Sequence, residues 1–251
     1  MTAIHRLATS DELLARIPDS IYLRAEVVPG ITEGHMWASN GAVAFVAQRE
    51  DRAGRLVCIG EPTAAVHFLP YVLEEFPFTL SGVILPRGAE KDLPLALRLS
   101  DPDHWELWWT DTPPPAVPGE ERVSWLDNVD DEIQTLLDVA YPAHRHKPGD
   151  HKIPRWAGIR DSDGSLVACG AEIRCPSDIA GLVSVTVHPH VRKQGLGTAL
   201  EAWVTRRILS KGDPLCTVST YMDNTAAHRL VARLGYRNNP ADRFTSATLV
   251  R

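Results

Sequence analysis

The sequence predicts an α+β fold organised around a mixed sheet, and three observations lead to this prediction. Short apolar, β-branched segments alternate with amphipathic ones along the chain, which is the pattern of strands covered by helices. Residues 182–187 form one such apolar segment, and a glycine-containing turn and a helix pattern follow it directly. A proline-rich stretch at residues 111–121 divides the alternation into two halves.

Composition limits the class of protein. The chain has 251 residues, 44% hydrophobic and 23% charged, which are ordinary values for one large or two small globular domains. A net charge of −6 argues against non-specific binding to nucleic acid. The sequence has no run of 18 apolar residues and no signal-peptide core at its start, so we expect a cytoplasmic protein without a membrane span. The four cysteines lack zinc-ligand spacing and are expected to be reduced thiols.

The first half, residues 1–110, predicts short strands and helices. Thr9 and Glu12 have the spacing of a capping box at the start of a helix. Residues 41–48 and 55–59 predict a hairpin, Thr63 is expected to cap a helix-like stretch to about Phe76, and residues 79–85 and 105–109 predict strands. Because this half has no basic Gly-x-Gly turn, we expect a scaffold, a cap or a degenerate copy of the second half.

Residues 111–121 are predicted to be a linker. Four prolines between Thr110 and Glu121 disfavour both a helix and a central strand, and favour an extended segment. The expected division is therefore an N-terminal α+β domain at residues 1–110 and a second domain at residues 122–251.

The second half predicts a continuous series of strands and helices. Acidic residues at positions 130–132 begin one helix, as the helix dipole favours, and Asn224 is a candidate N-cap of the last helix. The expected strands span residues 123–125, 155–160, 166–174, 182–187, 215–221 and 244–250, and the expected helices span residues 130–139, 196–208 and 225–234.

A basic turn joins the strand at residues 182–187 to the next helix. It reads Arg-Lys-Gln-Gly-Leu-Gly from Arg192 to Gly197, and Pro189 ends the strand before it. Glycines let the main chain approach an anion, the first N–H groups of a helix point at it, and the helix dipole favours negative charge. The turn therefore predicts a pyrophosphate site, with a tight turn that binds nothing as the alternative.

The order Arg-x-x-Gly-x-Gly, three residues after Pro189, resembles the coenzyme A signature of the GNAT superfamily of N-acetyltransferases. The segment from Asp223 to Tyr236 is similar to that family's last motif, Asn-x-x-Ala-x-x-Leu-Tyr-x-Lys-Leu-Gly-Phe. The resemblance covers residues 122–251 and implies the acyl-CoA N-acyltransferase fold there, in tandem with a degenerate N-terminal half. It also implies acetyl-CoA as co-substrate, a primary amine of a small molecule or protein as acceptor, and no metal.

The resemblance also implies roles for individual residues. Val185 and Val187 would offer main-chain groups to the pantetheine, which adds to the sheet like a short strand. Asn224 would bond the pantetheine or the adjoining main chain. The residues implied at the pyrophosphate are Arg192, Lys193, Gln194, Gly195, Leu196, Gly197 and Thr198.

The usual acid and base of the family are missing. The position of its tyrosine acid holds Val231, and the position of a frequent glutamate base holds Ser219. Thr217, Ser219 and Tyr221 alternate along one strand and so share one face. Tyr221 is the candidate acid and Ser219 a candidate relay through water; a stripe covered by a helix or by solvent is the alternative.

Two other titratable residues are weaker candidates. Glu172 is a candidate base, but Arg174 on the same strand face favours an ion pair instead. His228 lies one turn before Val231 in the last helix, and a surface histidine is the expected reading.

The loop at residues 144–152 is rich in histidine and cations. His144, His146 and His151 fit no regular zinc pattern, so no metal is expected there. The cations Arg145, Lys147 and Lys152 are candidates for recognising an acceptor carboxylate or phosphate, and a solvated loop is the alternative.

Two functions follow from these observations. The first is an N-acetyltransferase that transfers an acetyl group from acetyl-CoA to a primary amine by direct attack. The second is a non-catalytic acyl-CoA-binding sensor that regulates a partner, which the missing acid and base favour. Neither nucleic acid nor a membrane is expected as a partner, and the sequence does not specify the oligomeric state.

Overall fold

A computed structural model describes residues 3–31, 34–49, 52–75, 80–94 and 97–250. The chain forms two compact units. The first comprises Met1–Leu107, Thr220–Asn224 and Asn238–Arg251, and the second comprises Trp108–Ser219 and Thr225–Arg237. Within the described ranges, no helix is long and apolar enough to cross a membrane.

The first unit contains four helices and most of seven strands among its described residues. In chain order they are β1 (His5–Arg6), α1 (Ser10–Arg16), α2 (Ile21–Glu26), β2 (Met36–Ser39), β3 (Ala42–Arg49), β4 (Arg52–Gly60), α3 (Pro62–Ala65), α4 (Phe68–Glu75), β5 (Leu80–Pro86), β6 (Arg98–Thr110) and β12 (Arg237–Val250). The strand order is β1-β2-β3-β4-β5-β12-β6. β2, β3 and β4 pair antiparallel, β4 and β5 pair parallel, and β12 pairs antiparallel with β5.

The beginning of the first unit confirms the Thr9 half of the predicted capping box, whereas the Glu12 carboxylate accepts a hydrogen bond from the N–H of Ala8 rather than from that of Thr9. Thr9 precedes α1, and its side chain accepts a hydrogen bond from the N–H of Glu12 at 3.2 Å. The prediction that Thr63 caps a helix is wrong, because α3 begins at Pro62 with Glu61 at the N-cap. The sequence interpretation missed α2 and β2. The helix end predicted at Phe76 and the strand start predicted at Thr79 lie outside the described residues.

The second unit contains three α-helices and five strands among its described residues. They are β7 (Val123–Leu126), α5 (Asp130–Ala140), β8 (Arg155–Arg160), β9 (Leu166–Arg174), β10 (Ala180–Val187), α6 (Leu196–Ser210), β11 (Cys216–Tyr221) and α7 (Thr225–Arg233). The strand order is β11-β10-β9-β8-β7, antiparallel except for the parallel pair β10 and β11. Apart from the strand predicted at residues 244–250, the strands and helices predicted for this half are therefore confirmed, with shifts of at most two residues at their ends.

The last strand differs from the prediction. Residues 244–250 were expected to close the second domain, but β12 pairs with β5 from Phe244 to Thr248 and so lies in the first unit. Its fully buried Phe244 packs in a core cluster of that unit with Leu13, Leu23 and Ile84. The divisions at residues 110 and 121 remain a proposal for how the chain is organised along its length.

Both units have the same order of elements. In each, three antiparallel strands are followed by a helical crossover to a parallel fourth strand: β2-β3-β4 to β5, and β8-β9-β10 to β11. The crossovers differ in what precedes the helix. In the first unit only Glu61 separates β4, which ends at Gly60, from Pro62 at the start of α3, whereas residues 188–195 separate β10 from α6. The first unit therefore has no space for the long basic turn of the second.

The proline-rich stretch packs as part of the second unit. Arg206 on α6 donates to the carbonyl oxygens of Pro114 and Pro115 at 2.9 and 3.0 Å and forms an ion pair with Glu120. Val117 packs against the apolar core of this unit. Residues 113–117 have no regular secondary structure, and the contacts with Arg206 hold the segment to helix α6.

Four polar groups are buried together in the second unit. Glu201 on α6 is 3% exposed, and its Oε1 has no hydrogen-bond partner among the described residues. Thr205 Oγ1 donates to the Glu201 main-chain oxygen at 2.6 Å and lies 2.7 Å from the hydroxyl of Tyr236. That hydroxyl lies 3.5 Å from Cys216 Sγ. Burial raises the pKa of Glu201 to about 8.

Candidate active site

Strand β10 contains a bulge next to its centre. Val183 pairs with Ala171 and Thr186 pairs with Cys169, so β10 has one residue more than β9 between these two pairs. Ser184, inside the bulge, has a φ of 55°, and its carbonyl accepts a hydrogen bond from Thr186 Oγ1. A bulge leaves its extra residue unpaired and bends the strand. The sequence interpretation missed this bulge, because a single serine in an apolar run does not indicate one.

Beyond the bulge, β10 separates from β11. The two strands pair only from Ala180 to Leu182, against residues 216–218, and their remaining described residues form no further pair. The edge of β10 from Val183 to Val187 is therefore not covered by β11. An unpaired strand edge presents N–H and C=O groups that an extended ligand can bind as an added strand.

The basic turn brings main-chain N–H groups together at the start of α6. Lys193 and Gly195 have φ values of 65° and 83°, in the left-handed region. Left-handed residues in a turn favour a concave arrangement of N–H groups that can bind an anion, and residues 193–195 are called the nest below. Gly195 is the N-cap of α6, and in the described part of the chain no side chain caps this helix. A Cβ atom at Gly195 would have no heavy atom within 4 Å apart from its neighbours in the chain, so the space beside this residue is open.

The predicted turn residues differ in what their side chains contact. Lys193, Gln194 and Gly195 are exposed, whereas Leu196 is 5% exposed and packs in the core, so only its main chain can face an anion. Thr198 is half-buried on the first turn of α6. Arg192 is exposed, and its guanidinium donates to two main-chain carbonyls of the protein.

The pantetheine candidates lie beside this turn. A Cβ atom at Gly197 would contact Val187 Cγ2 at 3.5 Å and Val185 Cγ1 at 3.9 Å. The start of α6 therefore packs directly on the end of β10. This contact places the unpaired edge of the strand next to the nest, within one unit.

The catalytic candidates on β11 are divided between the two units. Thr217 is buried and Ser219 is exposed, both in the second unit. Tyr221, which is half-buried, and Asn224, which is exposed, count with the first unit, where the Asn224 N–H donates to the Tyr221 carbonyl. Asn224 directly precedes α7. Val231, at the position of the missing acid, is fully buried in the core and has no proton to donate.

Glu172 is engaged in ion pairs, as its sequence neighbour indicated. It is 1% exposed and accepts hydrogen bonds from Arg155 at 2.6 Å and from Arg174 at 2.7 Å. Burial alone would raise the pKa of this carboxyl, but the two guanidinium groups outweigh it and the pKa lies below its ordinary value. Arg174 also donates to Asp213 at 2.5 Å. A carboxylate held by two arginines is a poor base, so Glu172 stabilises the unit instead.

Two histidines of the loop at residues 144–152 contact carboxylates, one from the loop and one from α5. His146 Nδ1 lies 3.0 Å from Asp150, and His144 Nε2 lies 3.1 Å from Asp138. Burial opposes ionisation of Asp150, yet its hydrogen bonds with His146 and with the Lys152 N–H leave its pKa below the ordinary value. In the described ranges, no group of three or more His, Cys, Asp or Glu side chains is arranged to hold a metal ion. His228 is half-buried and packs edge-on against Trp108.

A family model matches the part of the chain that contains this site. Residues 157–245 match the model described as FR47-like protein, which is GNAT-related. They include the bulge, the nest and the segment with Val231. This part of the chain is therefore similar to a GNAT-related family.

Solved structures with this fold cover nearly the whole chain. An acetyltransferase described as from the GNAT family, of Novosphingobium aromaticivorans, is 20% identical with a TM-score of 0.55, and the match covers 81% of this chain and 90% of that one. A GCN5-related N-acetyltransferase from Kribbella flavida is 18% identical with a TM-score of 0.54, covering 96% and 94%. The corresponding protein from Sphaerobacter thermophilus is 17% identical with a TM-score of 0.53, covering 96% and 85%.

These comparisons establish the GNAT fold with its mixed sheet, as the sequence predicted. No curated protein matches the sequence significantly. Because these three structures are at most 20% identical to the chain, they show its fold and do not carry an activity over to it.

Proposed function

We propose that this chain is an N-acetyltransferase of the GNAT superfamily that transfers an acetyl group from acetyl-CoA to a primary amine. The observation that carries the proposal is the nest at Lys193 and Gly195 beside the unpaired edge of β10. The nest supplies main-chain N–H groups for a pyrophosphate, and the strand edge supplies main-chain groups for the amides of a pantetheine. No metal is needed for either contact.

The charge of the turn suits the pyrophosphate of coenzyme A. The space beside Gly195 is open, and the exposed Lys193 adds a positive charge. The valines at 185 and 187 offer main-chain groups at the strand edge, and Gln194, Gly197 and Thr198 complete the binding turn. Asn224 is proposed to bond the pantetheine or the main chain beside it.

The chemistry is direct attack. The thioester supplies an activated acetyl group; a C–N bond forms as the C–S bond breaks, the amine loses a proton and the thiolate gains one. The bulge at Ser184 leaves main-chain groups of β10 unpaired beside Val185, where an N–H can stabilise negative charge on the thioester oxygen. The loop after α5, with Arg145, Lys147 and Lys152, is proposed to recognise an anionic group of the acceptor.

Thiol release tests the proposal. With acetyl-CoA and a panel of primary amines, we expect amine-dependent release of free thiol by the full chain. Tight CoA binding in calorimetry without thiol release across a broad panel would favour the alternative, a non-catalytic acyl-CoA sensor. The specific observation that favours the sensor is Val231, which is buried where a relative carries the acid.

Tyr221→Phe tests how the thiolate gains its proton. Because Val231 has no proton to donate, we propose Tyr221 as the acid, with Ser219 as a relay through water. General-acid catalysis contributes about 10²–10⁴-fold, so kcat should fall roughly tenfold or more while CoA affinity stays nearly unchanged. Steady-state kinetics on a confirmed substrate measure the first, and calorimetry measures the second.

The control for this prediction removes the same hydroxyl elsewhere. Tyr71→Phe changes a half-buried tyrosine on α4 and should leave kcat unaltered. Full kcat in Tyr221→Phe would assign Tyr221 a structural role and leave solvent or the substrate as the proton source.

A further inference from the structure

Arg192 joins two elements of the second unit that are distant in sequence. Its Nε donates to the carbonyl oxygen of Val187 at 3.1 Å, and its Nη2 donates to the carbonyl oxygen of Ala140 at 2.8 Å. Val187 is the last residue of β10, and Ala140 is the last residue of α5. One side chain thus ties the end of the strand that leads into the nest to the end of a helix 52 residues earlier.

The chemistry of both ends favours a guanidinium. The last carbonyls of a helix have no intrahelical donor, and the helix dipole makes this end negative, so a cation that donates there stabilises it. Arginine is suited to the task because its donors are fixed in one plane and can serve two acceptors at once. Lysine has a single nitrogen on a flexible stem and cannot reproduce the same pair of bonds as well.

The end of α5, which Arg192 holds, leads into the loop at residues 144–152. Tyr141 is the C-cap of α5, and its carbonyl accepts a hydrogen bond from the N–H of His144. At the far end of the loop, the carbonyl of Lys152 accepts from the N–H of Arg174. The loop is therefore fixed at one end by β9, and Arg192 holds the helix end at the other.

We propose that Arg192 is a positioning residue that couples the coenzyme-binding turn to the loop at residues 144–152, rather than a direct ligand of the pyrophosphate. The inference rests on the proposed function, because it takes the nest as the binding site of coenzyme A. The two hydrogen bonds of Arg192 to main-chain carbonyls hold the end of α5 against the turn. Coenzyme A that orders the turn on binding therefore also orders the start of the loop at residues 144–152. The direct contact implied by the family resemblance is thereby reassigned to Lys193 and the main-chain N–H groups.

Hydrogen exchange of the full chain with and without CoA tests this coupling. In the wild type, CoA should slow exchange both at the turn and at residues 138–146. In Arg192→Ala, CoA affinity should stay within about threefold, while residues 138–146 exchange about three- to tenfold faster and no longer respond to CoA. Arg192→Lys should restore part of the response, because one of the two bonds can re-form.

Two controls separate this role from others. Lys193→Ala removes the neighbouring cation and should lower CoA affinity about tenfold without changing the response at residues 138–146. Arg122→Ala removes another exposed arginine that donates to a main-chain carbonyl, that of Arg160 at 3.1 Å, and should change neither readout.

Two results would overturn the coupling. One is a loss of CoA affinity in Arg192→Ala as large as in Lys193→Ala, with wild-type exchange at residues 138–146. The other is unchanged exchange at these residues in ligand-free Arg192→Ala. Failure of the proposed function is a different result, since the wild type would then bind no CoA, and the ligand-free comparison would still decide whether Arg192 holds the end of α5.

Discussion

Replacing Gly195 with aspartate is expected to lower the affinity for CoA at least about 100-fold. Gly195 is the N-cap of α6 with a φ of 83°, and a side chain there would project into open space. Aspartate tolerates this backbone region, and its carboxylate would both occupy the free N–H groups and repel a pyrophosphate. Two like charges about 4 Å apart near a protein surface repel by about 4 kcal/mol. This repulsion exceeds the change in binding free energy that corresponds to a loss of affinity of about 100-fold.

Gly195→Asn is the matched control. It has the same shape and the same tolerance of left-handed backbone, but no charge. We expect its CoA affinity to fall less than about tenfold, and calorimetry at two salt concentrations should show that the difference between the two variants shrinks as salt rises. Equal affinities for the aspartate and asparagine variants would remove the pyrophosphate from this turn.

Gly197 provides an independent variant at the same site. A Cβ atom there meets only ordinary contacts of 3.5 Å or more, so Gly197→Ala should fold and bind CoA. Gly197→Trp should lose binding because the indole would fill the contact between α6 and the strand edge. Circular dichroism of both variants would show whether a loss of binding reflects a loss of fold.

Replacing Glu201 with glutamine is expected to stabilise the second unit by roughly 4–5 kcal/mol above pH 8. Burial raises the pKa of Glu201 to about 8 from 4.5, and each unit of pKa corresponds to about 1.4 kcal/mol. Above pH 8 the folded state must hold a buried carboxylate whose Oε1 has no hydrogen-bond partner in the described structure. Glutamine has nearly the same shape and no charge.

The pH dependence of this effect follows from proton binding. Between pH 4.5 and pH 8 the folded state keeps the Glu201 proton and the unfolded state has lost it, so stability falls as pH rises. Below pH 4.5 both states are protonated, and the variant and the wild type should be equally stable. Hydrogen exchange of the α6 amides at pH 4.5, 6.5 and 8.5 measures this in the second unit itself. A constant difference at all three pH values would contradict a buried, ionising carboxyl.

Local signals in the sequence were sufficient for most elements. The N-cap at Thr9, the acidic start of α5 and the glycine-containing turn before α6 are each determined by side chains within a few residues, and the structure confirms them. The sequence interpretation missed the burial of Glu201, although its spacing in the helix indicates a core position. Glu201 lies three, four and seven residues before Val204, Thr205 and Ile208, on the face that packs into the core.

Other features depend on partners that are far away in sequence. The bulge at Ser184 appears only when β10 is paired with β9, and the bond between Arg192 and Ala140 requires residues 52 positions apart to meet. The placement of β12 was missed for the same reason, since its alternating pattern fits a strand in either unit. What the residues near β11 do in catalysis stays a prediction.

The pairing of β12 with β5 has a consequence for synthesis on the ribosome. The first unit includes residues 238–251, so its sheet lacks one strand until translation has reached the end of this sequence. During elongation β5 has an unpaired edge, because the segment that pairs with it has not yet been made. Val83 and Leu85 of this strand are fully buried in the finished unit. Folding of the earliest residues should therefore finish last, and a nascent chain stalled before residue 238 should be sensitive to protease in its N-terminal part.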